Sequence, residues 1–320
     1  MNLAFPDIDL ADAELRARLT STDAGVRRIA LMELAEQEDE DNLIWLQTSL
    51  RHDQSAEVRQ EAARLLAGWD DDFVADALCH ALADSDATVR QHAAQSLSEL
   101  KQAETGKVLL PWASHEEAFV RTAILRALRE LRLPEAAEPA LLLLRDEDAQ
   151  VRREAVAVLG WLKKEEALAE IARLAESDAD VDVRRAATGA LGFSRNENVL
   201  PALRQALADQ AWQVREEAAA TLGKLRFTGV VDDLIVALDD SYWQVRLQVA
   251  RALGKLKDRC ATTGLLRTLG HSISNLRKEA ALALGEIGDA SALPALQAAS
   301  NDADPEVRKA VRIAISQLQA

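Results

Sequence analysis

A Val-Arg pair that returns at a nearly constant interval limits what this chain can fold into more than any other feature of it. The pair ends at Arg27, Arg59, Arg90, Arg121, Arg152, Arg184, Arg215, Arg246 and Arg308, and Leu276-Arg277 completes the series. The ten arginines are separated by 32, 31, 31, 31, 32, 31, 31, 31 and 31 residues. A fixed period of this length means stacked supersecondary units, each touching only its neighbours. The 320 residues would otherwise suggest about two globular domains.

Each unit reads as two helices. Residues 199–208 (VLPALRQALA) place leucines at 200, 203 and 207, and residues 213–225 (QVREEAAATLGKL) place apolar side chains at 214, 218, 219, 222 and 225, both helical spacings. No β-type alternation interrupts the series, and the two one-residue insertions fall in polar connections near 36–41 and 163–166, where length changes are tolerated. The expected organisation is a lead over residues 1–10 and one solenoid over 11–320. Its ten units run approximately 11–39, 40–70, 71–102, 103–133, 134–164, 165–196, 197–227, 228–258, 259–289 and 290–320.

Counting about 100° per residue from the arginine, Val at −1, Ala at +3 and +4 and Leu at +7 form an apolar arc that contains the arginine itself. A guanidinium on such a seam needs charge-assisted hydrogen bonds to offset its desolvation. Seven units carry a carboxylate six residues before the arginine: Asp53, Asp84, Asp146, Asp178, Asp209, Asp240 and Asp302, before Arg59, Arg90, Arg152, Arg184, Arg215, Arg246 and Arg308. His115 and His271 hold that position in two others. The expectation is a structural Asp-Arg ladder along the stack, the Asp also ending the first helix or capping the second.

The segments VREEAAATLGKL (214–225), VRREAVAVLGWL (151–162) and VRLQVARALGKL (245–256) resemble HEAT repeats. They are most similar to the short bacterial type, the PBS-lyase HEAT-like repeats. The resemblance covers about residues 11 to 320 and implies an all-α fold, a right-handed α-solenoid (α-α superhelix) of about ten helical hairpins. It also implies that the second helices line a concave face.

On that wall, positions −2, +1, +2, +5 and +9 point away from the core arc, and −3 lies at the entering turn. Trp212 and Trp243 at −3, Phe119 at −2, and Trp161 and Phe193 at +9 gather five aromatics there in a chain only 4% aromatic. Exposed aromatics on such a wall are the usual anchors of protein interfaces. Trp212 and Trp243 stand one period apart and are expected to be the main contacts. Arg126, Arg185, Glu216, Gln244 and Arg251 supply mixed charge and polarity around them, which suits a protein or peptide. Trp45, Trp69 and Trp112 read as packing residues.

The net charge of −15 disfavours nucleic acid, whose affinity comes largely from clustered Lys and Arg. There is no Walker or dinucleotide loop, no Gly-x-Ser-x-Gly, no Cys-x-x-Cys and no His-Glu-x-x-His, and the five histidines show no ligand spacing. The lone His115-Glu116 pair cannot build the two-metal site of the HEAT-type deoxyhypusine hydroxylases. No metal or cofactor is expected. The first ten residues carry Asp7 and Asp9 where an export signal would be basic and then apolar, so a cytoplasmic protein off the membrane is expected. The functional expectation is a noncatalytic interaction scaffold or assembly factor that binds a protein or peptide on the concave face. The alternative is a phycobilin-lyase-like subunit or chromophore chaperone with a bilin-type ligand.

Overall fold

The computed structural model describes residues 13–319, so the lead expected over 1–10 lies outside the described residues. Among the described residues there are twenty α-helices, ten short 3-10 segments and no strand. The chain divides into two compact units, residues 1–162 and 163–320. Each is an all-helical stack of hairpins in two layers, the α-solenoid arrangement.

In the first unit one layer consists of the second helices Ala24–Ala35, Ala56–Leu65, Ala87–Leu97, Ala118–Leu131 and Ala149–Leu162, each packed on the next. The first helices are Ala13–Leu19, Leu43–His52, Asp72–Ala81 and Ala137–Leu143, with one irregular member. That member is Ala103–Gly106 followed by the 3-10 segment Lys107–Ser114, which contains Pro111. Proline has no N–H to donate and crowds the carbonyl four residues back, so the α-helix tightens into 3-10 there.

In the second unit the second helices are Val181–Ala190, Trp212–Leu225, Trp243–Leu256, Ser274–Ile287 and Pro305–Gln319. Their partners are Leu168–Ser177, Leu200–Leu207, Val231–Ala237, Thr262–Leu269 and Leu293–Ala298. The apolar arc is the core in both units; in one repeat Val214, Ala218 and Leu222 are all 0% exposed.

Local chemistry sets where these helices start and stop. The residue four before the arginine is the N-cap: Asp86 Oδ1 accepts from the N–H groups of Thr88 and Val89 at 2.8 and 3.1 Å, and Asp23 and Asp180 do the same. Each such cap is worth about 1 kcal/mol. At the other end the residue eleven after the arginine turns left-handed, at Glu38, Arg132, Lys163, Arg226, Lys257 and Gly288. Where this residue is basic, its charge also suits the negative helix end.

Glycines eight after the arginine set the spacing of the second helices in the second unit. A Cβ built on Gly223, Gly254 or Gly285 would lie 2.8, 2.9 or 2.7 Å from the Cα of Ala252, Ala283 or Ala314. No real side chain fits at that distance, so only glycine lets these neighbouring helices approach so closely.

Candidate functional site

The repeat arginines form a ladder that runs between hairpins, not within them. Arg59 Nε and Nη2 donate to Asp84 Oδ2 and Oδ1 at 2.7 and 2.8 Å, while its Nη1 donates to the carbonyls of Asp53 and Gln54 at 2.9 and 3.3 Å. The same fork joins Arg27 to Asp53, Arg121 to Asp146, Arg184 to Asp209, Arg215 to Asp240 and Arg277 to Asp302. The six-residue spacing is therefore a side chain to backbone contact. Nη1 reaches back to the arginine's own turn, which leaves the Nε–Nη2 edge aimed forward at the next hairpin. Arg27, Arg121 and Arg277 thus belong to the ladder although their own repeats lack the aspartate.

Each ladder aspartate also accepts a backbone N–H two residues on, as Asp84 does from Asp86 at 2.8 Å and Asp240 from Tyr242 at 2.8 Å. Asp53 and Asp178 follow directly on their first helices, whereas capping of the second helix falls to the residue two further along. Burial works to raise the carboxyls of Asp84, Asp209 and Asp240, but the arginine fork and the backbone N–H more than offset it. All three sit below the usual carboxylate range.

Three members of the expected ladder have other surroundings. Arg90 donates from Nη1 to the Asp84 carbonyl at 2.7 Å and lies over the Phe119 ring, 5.8 Å from its centre. Arg246 meets His271, with Nη1 3.2 Å from Nε2, and its Nε is buried without a hydrogen bond. Arg308 donates to the carbonyls of Asp302 and Ala303 at 2.7 and 3.0 Å.

Beside the ladder, the face of the second helices carries its own cross-links. In the first unit the buried carboxylate of Glu154 receives Arg129 at 2.9 Å, Arg153 at 3.3 Å and Arg126 at 3.5 Å. In the second unit Arg251 holds Glu279 by two bonds of 2.9 and 2.8 Å, and Arg185 stands 4.0 Å from Glu217. Burial pushes the Glu217 carboxyl up, against the pull of Arg185. Arg126, Arg185 and Arg251 therefore brace neighbouring hairpins while keeping an exposed edge. The residue two after the arginine, Glu154, Glu217 or Glu279, receives them.

The aromatics fall into two groups, one per unit. In the first, Phe119 is exposed beneath Arg90, and Trp161 is 54% exposed with the left-handed Arg132 4.7 Å from its ring centre. In the second, Trp212 begins its helix and stacks on Tyr242, with centres 5.6 Å apart and planes 14° apart, while Arg215 lies 5.6 Å from the Tyr242 centre. Tyr242 and Trp243 are 45% and 37% exposed. Phe193, Glu216 and Gln244 are half-buried in the same unit.

Tyr242, the chain's one tyrosine, was not among the sequence-derived anchors. The signal for it was the Asp240 turn, whose backbone bond to Tyr242 fixes where that ring goes. Trp45 is buried, and Trp112 stacks on His115 at 5.8 Å and meets His80 edge-on at 4.7 Å, as packing residues do. Among the described residues no three metal-type side chains come together.

The sequence matches the family described as HEAT repeats over residues 75–141, 137–223 and 231–316. The chain belongs to the HEAT-repeat family. No curated protein matches it by sequence. Among solved structures, this HEAT-repeat protein is similar to an engineered protein at 21% identity and TM-score 0.56, covering 96% of this chain and 98% of that one. It is similar to YibA of E. coli at 19% identity and TM-score 0.52, covering 92% and 97%. It is also similar to Kap95p, described as binding RanGDP, at 15% identity and TM-score 0.64, covering 95% of this chain and 51% of that one. Likeness at these identities shows the fold alone.

Proposed function

We propose that this HEAT-repeat protein is a noncatalytic interaction scaffold or assembly factor that takes a protein or peptide on the face of its second helices. The observation that carries the reading is the exposed pair Tyr242 and Trp243, with the half-buried Trp212 stacked on Tyr242, in a chain with little aromatic surface. Gln244, Glu216, Arg185 and Arg251 form its polar rim, and Phe193 extends its apolar part. The first unit offers Phe119, Trp161 and Arg126 as a second contact patch. Burial of indole and phenol surface would supply most of the affinity, and the rim charges would set the register.

HEAT repeats are commonly interaction surfaces, and Kap95p is described on a protein partner. No described helix is long and apolar enough to cross a membrane, in keeping with the cytoplasmic place that is part of the proposal. The repeats resemble the PBS-lyase HEAT-like type, but no arrangement of residues favours a bilin, and that second reading is set aside. The test is the double change Trp212→Ala with Trp243→Ala. It is expected to abolish capture of a partner from the native cell while circular dichroism stays unchanged; full capture by the double variant would reject this face.

A further inference from the structure

The first unit contains a surface that the aromatic-anchor reading does not use. Two clefts of ≈ 710 and ≈ 680 Å³ meet at Gly68 and Trp69. Their origin is a short helix. Ala56–Leu65 stops where its counterpart Ala118–Leu131 runs four residues further, Gly68 turns left-handed at φ 83°, and Trp69 comes down as a half-buried wall between the two hollows. Apolar lining comes from Leu43, Ile44, Leu65 and Met32, and Phe73 stands at the rim 74% exposed.

The charge around this groove is one-sided. Glu36, Glu38, Glu40 and Asp41 line it on one side, and Asp70 and Asp71 on another. The first four make no ion pair with any described Lys or Arg. Asp70 and Asp71 spend an oxygen on backbone N–H groups, of Lys101 and Gln102 and of Phe73 and Val74, which leaves their negative charge uncancelled. The one lining cation, Arg64, is held by Glu61. The ladder carboxylates, by contrast, are matched by arginines.

We propose that this groove docks a basic peptide segment in which arginines alternate with bulky apolar side chains. An arginine is the fitting cation because its planar guanidinium can lie on the Trp69 ring while its fork meets a carboxylate, which a lysine does less well. The apolar side chains enter the hollows on either side of Trp69 and cover Phe73. This partner chemistry is independent of the occupant of the Trp212 face.

The experiment is calorimetric titration of the full chain with a short synthetic peptide of alternating arginine and leucine. Its lysine-leucine and glutamate-leucine counterparts serve as comparisons. The arginine peptide is expected to bind most tightly, the lysine peptide more weakly and the glutamate peptide not at all, with affinity falling as salt rises from about 50 to about 500 mM. Glu40→Lys with Asp41→Lys is expected to weaken binding by about tenfold or more, and Phe73→Ser to weaken it at unchanged salt dependence. Glu197→Lys with Glu306→Lys makes the same change in net charge in the second unit and is expected to leave binding intact. Equal weakening by both charge pairs would mean attraction to the protein's overall charge and would overturn the proposal. So would absence of binding, or unchanged affinity in Phe73→Ser, with circular dichroism confirming that each variant is folded.

Discussion

Replacing Arg215 with Leu tests a rung whose geometry is complete. Arg215 spans two hairpins with four hydrogen bonds: 2.6 and 2.9 Å to Asp240, and 2.8 and 3.1 Å to the carbonyls of Asp209 and Gln210. The side chains of Arg215 and Asp240 are only 12% and 10% exposed. Without the guanidinium, Asp240 keeps the Tyr242 N–H as its hydrogen-bond donor and remains a mostly buried charge. Removing one partner of such a pair costs about 3–5 kcal/mol, most of it the penalty on the charge left behind. Arg246 is the internal control: it faces a histidine, its Nε has no hydrogen bond, and Arg246→Leu abandons no carboxylate fork. That change is expected to cost about 1 kcal/mol or less. Adding Asp240→Asn to Arg215→Leu removes the stranded charge and is expected to recover a large part of the loss, a coupling that a double-mutant cycle reads directly. Urea unfolding followed by circular dichroism gives the totals. Because repeat stacks can open in parts, amide exchange over Val231–Ala237 and Trp243–Leu256 locates the damage. Equal losses for Arg215→Leu and Arg246→Leu would refute the ladder as a stabilising device.

Three further outcomes follow from the same geometry. The folded-state carboxyls of Asp84, Asp209, Asp240 and Asp302 are held low, so their stabilisation is full above the unfolded value near about 3.9 and is lost as pH falls through the lower folded values; urea midpoints should be flat from about pH 7 to 5 and drop below about pH 4, and a midpoint that rises on acidification would contradict this. Gly254→Ala should destabilise by about 1–3 kcal/mol despite alanine's better helix propensity, because the new Cβ meets the Ala283 backbone at 2.9 Å, whereas Gly229→Ala, with only Leu200 Cδ1 at 3.9 Å, should be near neutral in the same melt. His271→Asp should stabilise by about 1–2 kcal/mol by restoring a rung: His271 Nδ1 already accepts the Ile273 N–H at 3.0 Å, so a neutral ring presents its Nε2 proton to the Arg246 donor, and a lower melting temperature in the variant would count against the rung.

The helical hairpins were legible because the period of the Val-Arg pair sets a backbone pattern that side-chain detail cannot alter. The pairing of the ladder was not, because a six-residue spacing and a 25-residue spacing are equally regular in a periodic sequence. Only the direction in which the guanidinium edge leaves the helix tells them apart. The glycine contacts were hidden for a similar reason: Gly254 reads as a weak helix residue until the Ala283 backbone is seen beside it. Counting from the arginine placed Trp212 and Trp243 at the entry of their helices, whereas Tyr242 needed the turn that Asp240 builds.

These cases share a logic that bears on where function lies in a repeat protein. Residues that obey the register, such as Val214, Ala218, Leu222 and the arginines, are consumed by packing and cross-linking, so their repetition is evidence of architecture. The surface proposed to bind lies where the register is broken. A helix that ends early at Leu65 leaves the Trp69 groove, and Tyr242, where the preceding repeat has Ala211, leaves ring surface open. Breaks of this kind cost local stability, because each leaves apolar or charged surface without a partner inside the chain. That cost is tolerable in a stack whose neighbouring repeats are held by ladder and glycine contacts. Under the proposed function, the physical demand on the regular repeats is thus to be strong enough that the irregular ones can remain incomplete until a partner covers them.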